Sequence, residues 1–299
     1  MSATLPRDRA ADPGPATATP AGANRLRRRL LDLRAQGRGA LVPFVVLGDP
    51  DLETSDALLQ ALVRGGADAL ELGLPFSDPP ADGPVIQAAD VRALQAGIRV
   101  DDCFDLLRRH AARSDVPVSL LVYWNLVLQR GVDRFYGECA ACGVDAVLVA
   151  DLPLQEADEA LAAARKHGVA PVLLATPLSS DARLRAVAAV ADGYLYVTAR
   201  IGVTGAVSGV DAGLRAELAR ISALTDLPLL CGFGIGGPEE VAAVLAAGAH
   251  GAIVGSALVR HIEANLGDRA TMLGAVEQFV RSLRRATGGA ATSEEGQPC

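Results

Sequence analysis

Short, uninterrupted apolar runs alternate with longer segments of helical periodicity from residue 41 onward. The runs begin at Val42, Ala67, Pro117, Asp145, Ala170, Gly193, Pro228 and Gly251. Hydrophobicity that is continuous instead of alternating is typical of strands buried on both faces, as in a parallel sheet covered by helices. Eight such runs predict a single-domain α/β fold, the closed (β/α)8 TIM barrel.

Glycine and proline positions support the same architecture. Four predicted helices end on a glycine shortly before the next apolar run, which is typical of helix C-termini. These glycines are Gly66, Gly143, Gly168 and Gly248. Pro238, followed by Glu239 and Glu240, predicts the start of the seventh helix, because proline suits the first helical position and acidic residues suit the first turn.

The predicted catalytic domain spans residues 24–286, close to the ~250 residues that such barrels need. Residues 1–23 are rich in Ala, Pro and Thr, and residues 287–299 in Gly, Ser and Glu, so both are expected to be disordered tails. An extra N-terminal helix is predicted from an Asn24 cap through Leu33. Its leucines make it amphipathic, so its arginines are expected to form a solvated face and not a nucleic-acid surface. These arginines are Arg25, Arg27, Arg28, Arg29 and Arg34.

Composition narrows the class of protein. A chain of 299 residues that is 50% apolar can build a large core, and its net charge of −7 argues against nucleic acid as the main partner. No apolar run approaches the ~18 residues of a membrane span, and the first twenty residues lack a signal-peptide core. Five cysteines, an odd number, fit a reducing compartment. We therefore expect a cytoplasmic protein without membrane association, in which Cys139 and Cys142 are core thiols.

Acidic residues lie within the second apolar run and in the connection that follows it. This connection is longer than one turn, one helix and the return to the next strand require. Glu71 interrupts this run, and burial inside a barrel would raise its pKa toward neutrality. A salt bridge to Arg200 is the structural alternative. Asp78 and Asp82 follow in a proline-rich loop, where turn formation explains Asp78 as well as a catalytic role does.

Glycine-rich segments follow the seventh and eighth runs, at residues 232–238 and 255–257. Glycines at these points allow backbone N–H groups to approach an anion, and barrels often bind phosphate there. The segment at 202–205 adds further N–H donors and a hydroxyl. The sequence therefore predicts a phosphate site at the carboxyl ends of the strands.

Several types of reaction are excluded because the residues that they require are absent from the carboxyl ends of the predicted strands. Lys166, the only lysine, lies in a predicted helix, so a Schiff-base aldolase has no nucleophile. The four histidines fall on helices or on the far side of the eighth strand, so no metal site is expected. No strand ends in a Ser or Cys with a His partner, which excludes a hydrolytic triad. Acid–base catalysis by carboxylates on a phosphorylated substrate remains.

The segment LELGLPFSDPPADGPVIQ, Leu70 to Gln87, is similar to the signature of the tryptophan synthase alpha subunit. The resemblance continues, in the expected order, through segments near Phe44, Tyr123 and Asp151 and through GVTG and GFGI, and it covers residues 24–286. It implies a lyase of tryptophan biosynthesis that cleaves indole-3-glycerol phosphate by a retro-aldol reaction into indole and glyceraldehyde 3-phosphate. It also implies a partner beta subunit that carries pyridoxal phosphate in an α2β2 heterotetramer, with no cofactor in this chain.

The resemblance also implies roles for individual residues. Glu71 would be the general acid/base, and Asp82 would accept a hydrogen bond from the indole N–H. Tyr123 and Thr204 would lie near these carboxylates. The phosphate would be bound by Gly205, Gly234, Gly255 and Ser256. The indole ring would contact Phe44, Leu121, Leu148, Tyr196 and Phe233.

Two departures from the family pattern bear on closure of the loop after the sixth run and on communication with the partner. Val46 stands where the family often has threonine, and Val207-Ser208-Gly209 stands where a charged residue is usual. Two alternative functions therefore stay open at this point. One is a stand-alone lyase that releases free indole for specialised metabolism, and the other is a catalytically silent, phosphate-binding regulatory subunit.

Overall fold

Eight parallel strands form a closed barrel, in which each strand pairs with the next and β8 pairs with β1. The computed structural model describes residues 24–198, 212–232 and 234–288. The strands are β1 (Ala40–Val46), β2 (Leu70–Gly73), β3 (Val118–Val122), β4 (Ala146–Val149), β5 (Ala170–Ala175), β6 (Leu195–Thr198), β7 (Leu229–Gly232) and β8 (Gly251–Val254). Each lies within or beside one of the eight apolar runs, so the predicted TIM barrel is confirmed.

Helices follow every strand and cover the outside of the barrel. In chain order they are α1 (Arg25–Ala35), α2 (Leu52–Arg64), α3 (Pro84–Gln95), α4 (Val100–Ala111), α5 (Trp124–Arg130), α6 (Val132–Ala141), α7 (Asp158–His167), α8 (Asp181–Val190), α9 (Ala212–Ser222), α10 (Pro238–Ala246), α11 (Ser256–Glu263) and α12 (Arg269–Arg285). A short 3-10 turn, Leu154–Glu156, precedes α7. The long connection after β2 contains two helices, α3 and α4.

Strand residues alternate between two apolar layers. Phe44, Val172, Leu230 and Ile253 belong to the cluster inside the barrel. Their neighbours in sequence belong to the second cluster, between the strands and the surrounding helices. Burial on both faces explains why the strands have continuous runs of apolar residues.

The N-terminal helix α1 lies at the amino-terminal end of the barrel. Three of its arginines pair with aspartates that stand just before β2, β4 and β6. The pairs are Arg29 with Asp68 at 2.8 Å, Arg25 with Asp145 at 2.8 Å and Arg27 with Asp192 at 2.9 Å. The predicted solvated basic face is therefore wrong for these three arginines, although Leu26, Leu30 and Leu33 are buried as the helical pattern indicates.

The predicted helix ends are confirmed. The four glycines before β2, β4, β5 and β8 all have positive φ, between 71° and 112°. Gly168 is an example: it caps α7 in the left-handed conformation, which glycine adopts without the steric penalty of a side chain. Pro238 occupies the first turn of α10 as predicted.

Two further features concern the cysteines and the C-terminal boundary. Cys139 and Cys142 are buried free thiols, as predicted, and burial raises the pKa of Cys139 well above its ordinary value. Thr287, placed in the predicted tail, is buried, and its carbonyl accepts a hydrogen bond from Gly39 N–H at 3.0 Å. The packed chain thus continues past residue 286. In the described part of the chain, no helix has the length and apolar character needed to cross a membrane.

Candidate active site

A cavity of about 360 Å³ opens at the carboxyl ends of the strands. Three kinds of residue line it. Two carboxyl groups belong to Glu71 and Asp82. The apolar lining comprises Phe44, Ile86, Leu121, Tyr196, Ile235, Ile253 and Ala257, and the glycine-rich part comprises Gly234, Gly236, Gly255 and Ser256, with Arg260 beside them. The structure thus brings to one cavity the two predicted acids and, of the predicted phosphate-binding residues, Gly234, Gly255 and Ser256.

Glu71 lies on β2 with its side chain inside the barrel, 1% exposed. Its Oε1 accepts a 2.8 Å hydrogen bond from the hydroxyl of Tyr194, which also lies 3.3 Å from Ser119 Oγ. Burial raises the pKa of Glu71 to about 7, against the opposing effect of the Tyr194 hydrogen bond and with a further contribution from the charge of Asp82. A carboxyl group with a pKa near neutrality can both donate and accept a proton at physiological pH.

The structural alternative for Glu71 is a salt bridge to Arg200, and Arg200 lies outside the described residues. Among residues that the structure describes, no cation forms an ion pair with Glu71. Tyr194 is the group that orients its carboxyl instead.

Asp82 is half-buried in the loop between β2 and α3. Its Oδ2 accepts a 2.6 Å hydrogen bond from the hydroxyl of Tyr123, whose ring stacks on Phe76 with centroids 5.3 Å apart. Burial raises the pKa of Asp82, and the hydrogen bond from Tyr123 opposes that rise. Asp78, in the same loop, is exposed and accepts a hydrogen bond from Ser77 Oγ, which fits the turn interpretation.

The glycine-rich part of the cavity offers backbone donors to an anion. Gly255 is the N-cap of α11, and no side chain caps this helix end. The first-turn residues Ser256 and Ala257 also line the cavity. A helix N-terminus carries unsatisfied N–H groups and a partial positive charge, which together bind anions such as phosphate. A Cβ at Gly255 would lie 3.2 Å from the Phe44 ring, so a larger residue would crowd that ring.

The remaining predicted residues fall into three groups. Phe44, Leu121 and Tyr196 line the cavity, as expected. Leu148 does not: it faces the barrel interior and lines a separate cavity of about 440 Å³ beside the loop after β4. Thr204, Gly205 and Phe233 lie outside the described residues.

Three residues of the site were missed by the sequence analysis. Tyr194 stands two positions before Tyr196 in the same apolar run, and the two-residue period of a strand could have placed both rings inside the barrel. Arg260 stands four positions after Ser256, a spacing that puts both on one helix face. Asp90 lies on α3 behind the Asp82 loop, and its helical position gave no signal that distinguishes it from a surface acid.

None of the four histidines lines this cavity. Among the described residues, no group of three or more His, Cys, Asp or Glu side chains is arranged to bind a metal ion. His250 illustrates the different use of the histidines: its Nδ1 accepts a 2.8 Å hydrogen bond from Leu229 N–H, and burial lowers its pKa to about 4. The neutral ring of His250, just before β8, therefore accepts a hydrogen bond from the first residue of β7.

Comparison with known proteins connects this geometry to one family. The family model described as tryptophan synthase alpha chain matches residues 30–288. The tryptophan synthase alpha chain of Cronobacter sakazakii is 49% identical over 256 residues, which cover 85% of this chain and 95% of that protein. That of Vibrio vulnificus is 48% identical and covers 85% and 96%. The crystal structure of the alpha subunit from Legionella pneumophila superposes with a TM-score of 0.81 at 36% identity, over 88% of this chain and 98% of that one.

The match covers nearly the whole length of these relatives as well as the barrel of this protein. Its extent agrees with the segment whose motifs resemble the alpha subunit. The chain belongs to the tryptophan synthase alpha chain family.

Proposed function

We propose that Glu71 and Asp82 carry out the retro-aldol cleavage of indole-3-glycerol phosphate in this chain. This cleavage, to indole and glyceraldehyde 3-phosphate, is the reaction of tryptophan synthase alpha chains, and the chain is a carbon–carbon lyase of that kind. The observation that supports these two roles is that both residues line one cavity. Glu71 is buried with a pKa near 7, and the charge of Asp82 contributes to that value. A glycine-rich helix N-terminus lines the same cavity.

The reaction moves one proton in a cycle. Protonated Glu71 gives its proton to C3 of the indole ring, which leaves a positive charge on the ring nitrogen. The Glu71 carboxylate then removes the proton from the hydroxyl on the adjacent side-chain carbon as the carbon–carbon bond breaks. That hydroxyl carbon becomes the aldehyde of glyceraldehyde 3-phosphate, and the electron pair of the broken bond neutralises the ring. Glu71 ends protonated, ready for another cycle.

Asp82 has a different task, because it must remain ionised. Its carboxylate accepts the hydrogen bond of the indole N–H and stabilises the positive charge that develops there. Tyr123 supports this state, since its hydrogen bond lowers the pKa of Asp82 against the effect of burial. Thr204, which the family pattern places near these acids, belongs to the proposal as a residue that closes over Asp82.

The rest of the cavity is proposed to hold the two ends of the substrate. Gly234, Gly255 and Ser256 are proposed to bind the phosphate at the N-terminus of α11, together with Gly205. Phe44, Leu121, Tyr196 and Phe233 are proposed to contact the indole ring. Arg260 supplies a positive charge beside these phosphate-binding residues.

A beta subunit is the partner that the family implies. We propose an α2β2 assembly in the cytoplasm, with pyridoxal phosphate on the beta subunit and no cofactor in this chain. Of the two alternative functions, the silent regulatory subunit is disfavoured by the pair of intact carboxyls in the cavity. A stand-alone lyase is not favoured by the family match.

Indole release from indole-3-glycerol phosphate, measured with and without the beta subunit, tests this function. Glu71→Gln and Asp82→Asn should each lower kcat by ~10²- to 10⁴-fold, the usual contribution of a positioned acid–base group. Glu159→Gln, an exposed change on α7, is the matched control and should leave kcat unchanged. Full activity of Glu71→Gln would overturn the proposed mechanism, and rapid turnover by the isolated chain would favour the stand-alone enzyme.

A further inference from the structure

Asp90 is a buried acid that the proposed reaction does not use. It lies on the inner face of α3, and its side chain is 4% exposed. Its Oδ1 accepts a 3.3 Å hydrogen bond from Phe76 N–H, while Oδ2 has no hydrogen-bond partner among the described residues. Burying an ionised carboxylate with so few partners is costly, whereas the neutral acid pays a much smaller desolvation penalty.

The charged groups around Asp90 also favour its neutral form. Asp82 faces it from the β2–α3 loop, and Asp49 faces it from the loop after β1. The guanidinium of Arg92 binds both oxygens of Asp49, at 2.7 and 2.8 Å, and lies 3.8 Å from Glu263 on α11. Burial first, and then the charges of Asp82 and Asp49, raise the pKa of Asp90 to about 7, against the weak hydrogen bond from Phe76.

A chain of contacts connects Asp90 to the proposed site. Asp90 accepts the backbone hydrogen bond of Phe76. The ring of Phe76 stacks on Tyr123 with an interplanar angle of 23°, and the Tyr123 hydroxyl donates to Asp82. The backbone of the β2–α3 loop is thus attached to α3 at Phe76. The ring of Phe76 packs against Tyr123, which donates the hydrogen bond to Asp82.

We infer that Asp90 is a positioning residue for Asp82: its carboxyl oxygen holds the backbone of the loop at Phe76, and a negative charge on Asp90 displaces the Asp82 carboxylate by repulsion. The inference rests on the proposed role of Asp82. Ionised Asp90 would place a third negative charge beside Asp82 and Asp49, and among the described residues Asp90 forms no ion pair that would balance it. Repulsion would then displace the Asp82 carboxylate and disturb its hydrogen bond with Tyr123.

Two substitutions separate the hydrogen bond from the charge. Asp90→Asn has the shape of the neutral acid and keeps an oxygen that accepts from Phe76 N–H. Asp90→Leu has a similar size but no acceptor. Val91→Asn, on the exposed side of the same helix, is the matched control. All variants are assayed with the beta subunit over a range of pH from about 6 to about 9, after their unfolding midpoints have shown that they are folded.

At about pH 6.5, where Asp90 is largely neutral, we expect Asp90→Asn to keep kcat within about twofold of the unchanged chain. Asp90→Leu should lose about tenfold in kcat with little change in KM, as misplacement of a catalytic group does. Above about pH 7.5, kcat of the unchanged chain should fall more steeply than that of Asp90→Asn. Unchanged kcat in Asp90→Leu, or an equal loss in Asp90→Asn, would overturn the inference, and so would identical pH profiles of Asp90→Asn and the unchanged chain.

A second measurement does not depend on the reaction. Trp124, the only tryptophan, directly follows Tyr123 and reports on this region by fluorescence. Its emission in the free protein should change as the pH rises through about 7, in the unchanged chain and in Glu71→Gln but not in Asp90→Asn. Absence of this change in the unchanged chain, or its persistence in Asp90→Asn, would contradict the inference. Because no substrate is present, this measurement tests the role of Asp90 independently of whether the proposed function is correct.

Discussion

The hydroxyl of Tyr123 lies 2.6 Å from Oδ2 of Asp82 and joins the end of β3 to the β2–α3 loop. Asp82, which the proposed mechanism requires in its ionised form, is therefore held by a donor from a rigid strand end. A hydrogen bond to a charged acceptor is among the stronger interactions in proteins and also fixes geometry. The first prediction follows from this contact.

Tyr123→Phe removes the hydrogen bond that lowers the pKa of Asp82, so that pKa should rise. The activity that depends on ionised Asp82 is then lost at a higher pH, and the acid limb of the kcat/KM profile moves upward. At neutral pH we expect kcat/KM to fall about 10- to 100-fold, since a hydrogen bond to a charged group contributes roughly 1.5–3 kcal/mol. Tyr136→Phe, outside the barrel, serves as control, and an acid limb that stays in place would refute the role of Tyr123.

Glu71→Gln should stabilise the fold at alkaline pH while it removes activity. The pKa of Glu71 is about 7 when folded, against an ordinary value of 4.5. Below pH 4.5 Glu71 is protonated in the folded and the unfolded chain, so its burial does not lower the free energy of unfolding. As the pH rises, Glu71 ionises first in the unfolded chain, and the free energy of unfolding falls. The fall ends when Glu71 also ionises in the folded protein, near pH 7. At about 1.4 kcal/mol per pKa unit, the full cost is about 3 kcal/mol.

Urea unfolding of both proteins at several pH values measures this difference. The free energy of unfolding of Glu71→Gln should exceed that of the unchanged chain by about 3 kcal/mol above pH 7, and the gap should close on acidification. A gap that does not vary with pH would mean that Glu71 ionises at its ordinary value in the folded protein.

Arg260→Gln should weaken substrate binding without slowing the chemistry. Arg260 is the only cation among the described residues that line the cavity, and it forms no ion pair within that set. We expect KM for indole-3-glycerol phosphate to rise about tenfold, equivalent to about 1.4 kcal/mol, with kcat unchanged. Inorganic phosphate should also inhibit the variant less. Arg260→Lys, which keeps the charge, should recover most of the affinity; an unaltered KM in Arg260→Gln would exclude the contact.

Arg25→Ala should destabilise the fold and leave kcat unchanged. Arg25 donates to both oxygens of Asp145, at 3.0 and 2.8 Å, and to the carbonyl of Gly143. Asp145 is buried and also accepts from Val118 N–H, so the substitution leaves its carboxylate short of partners. A loss of roughly 1–3 kcal/mol in the free energy of unfolding is expected. The exposed Arg28→Ala provides the comparison, and equal effects of the two would show that the ion pair contributes nothing.

The barrel and the acid buried inside it could be predicted because both depend on local signals. Strands buried on both faces need continuous apolar residues, and helices that end in the left-handed conformation need glycine. The same signals made Glu71 conspicuous, as an acid within an apolar run. Such properties are set by a few neighbouring positions, and the sequence displays them directly.

Contacts between distant segments could not be predicted in this way. Tyr194 is 123 positions from Glu71, and nothing in either segment indicates which hydroxyl meets which carboxylate. The arginines of α1 were expected in solvent because their aspartate partners, such as Asp145, come together only when the barrel closes. Leu148 lies on an inward strand position, but the tilt of the strands decides which cavity an inward residue reaches.

The position of α1 has a practical consequence for experiments with this protein. Its first residue, Arg25, is anchored at the amino-terminal ends of the strands, on the opposite side of the barrel from the cavity with Glu71. A fluorophore, affinity handle or solid support attached ahead of Asn24 therefore joins the folded domain far from the opening that admits small molecules. Immobilised in this orientation, the enzyme presents its reactive rim to the bulk liquid.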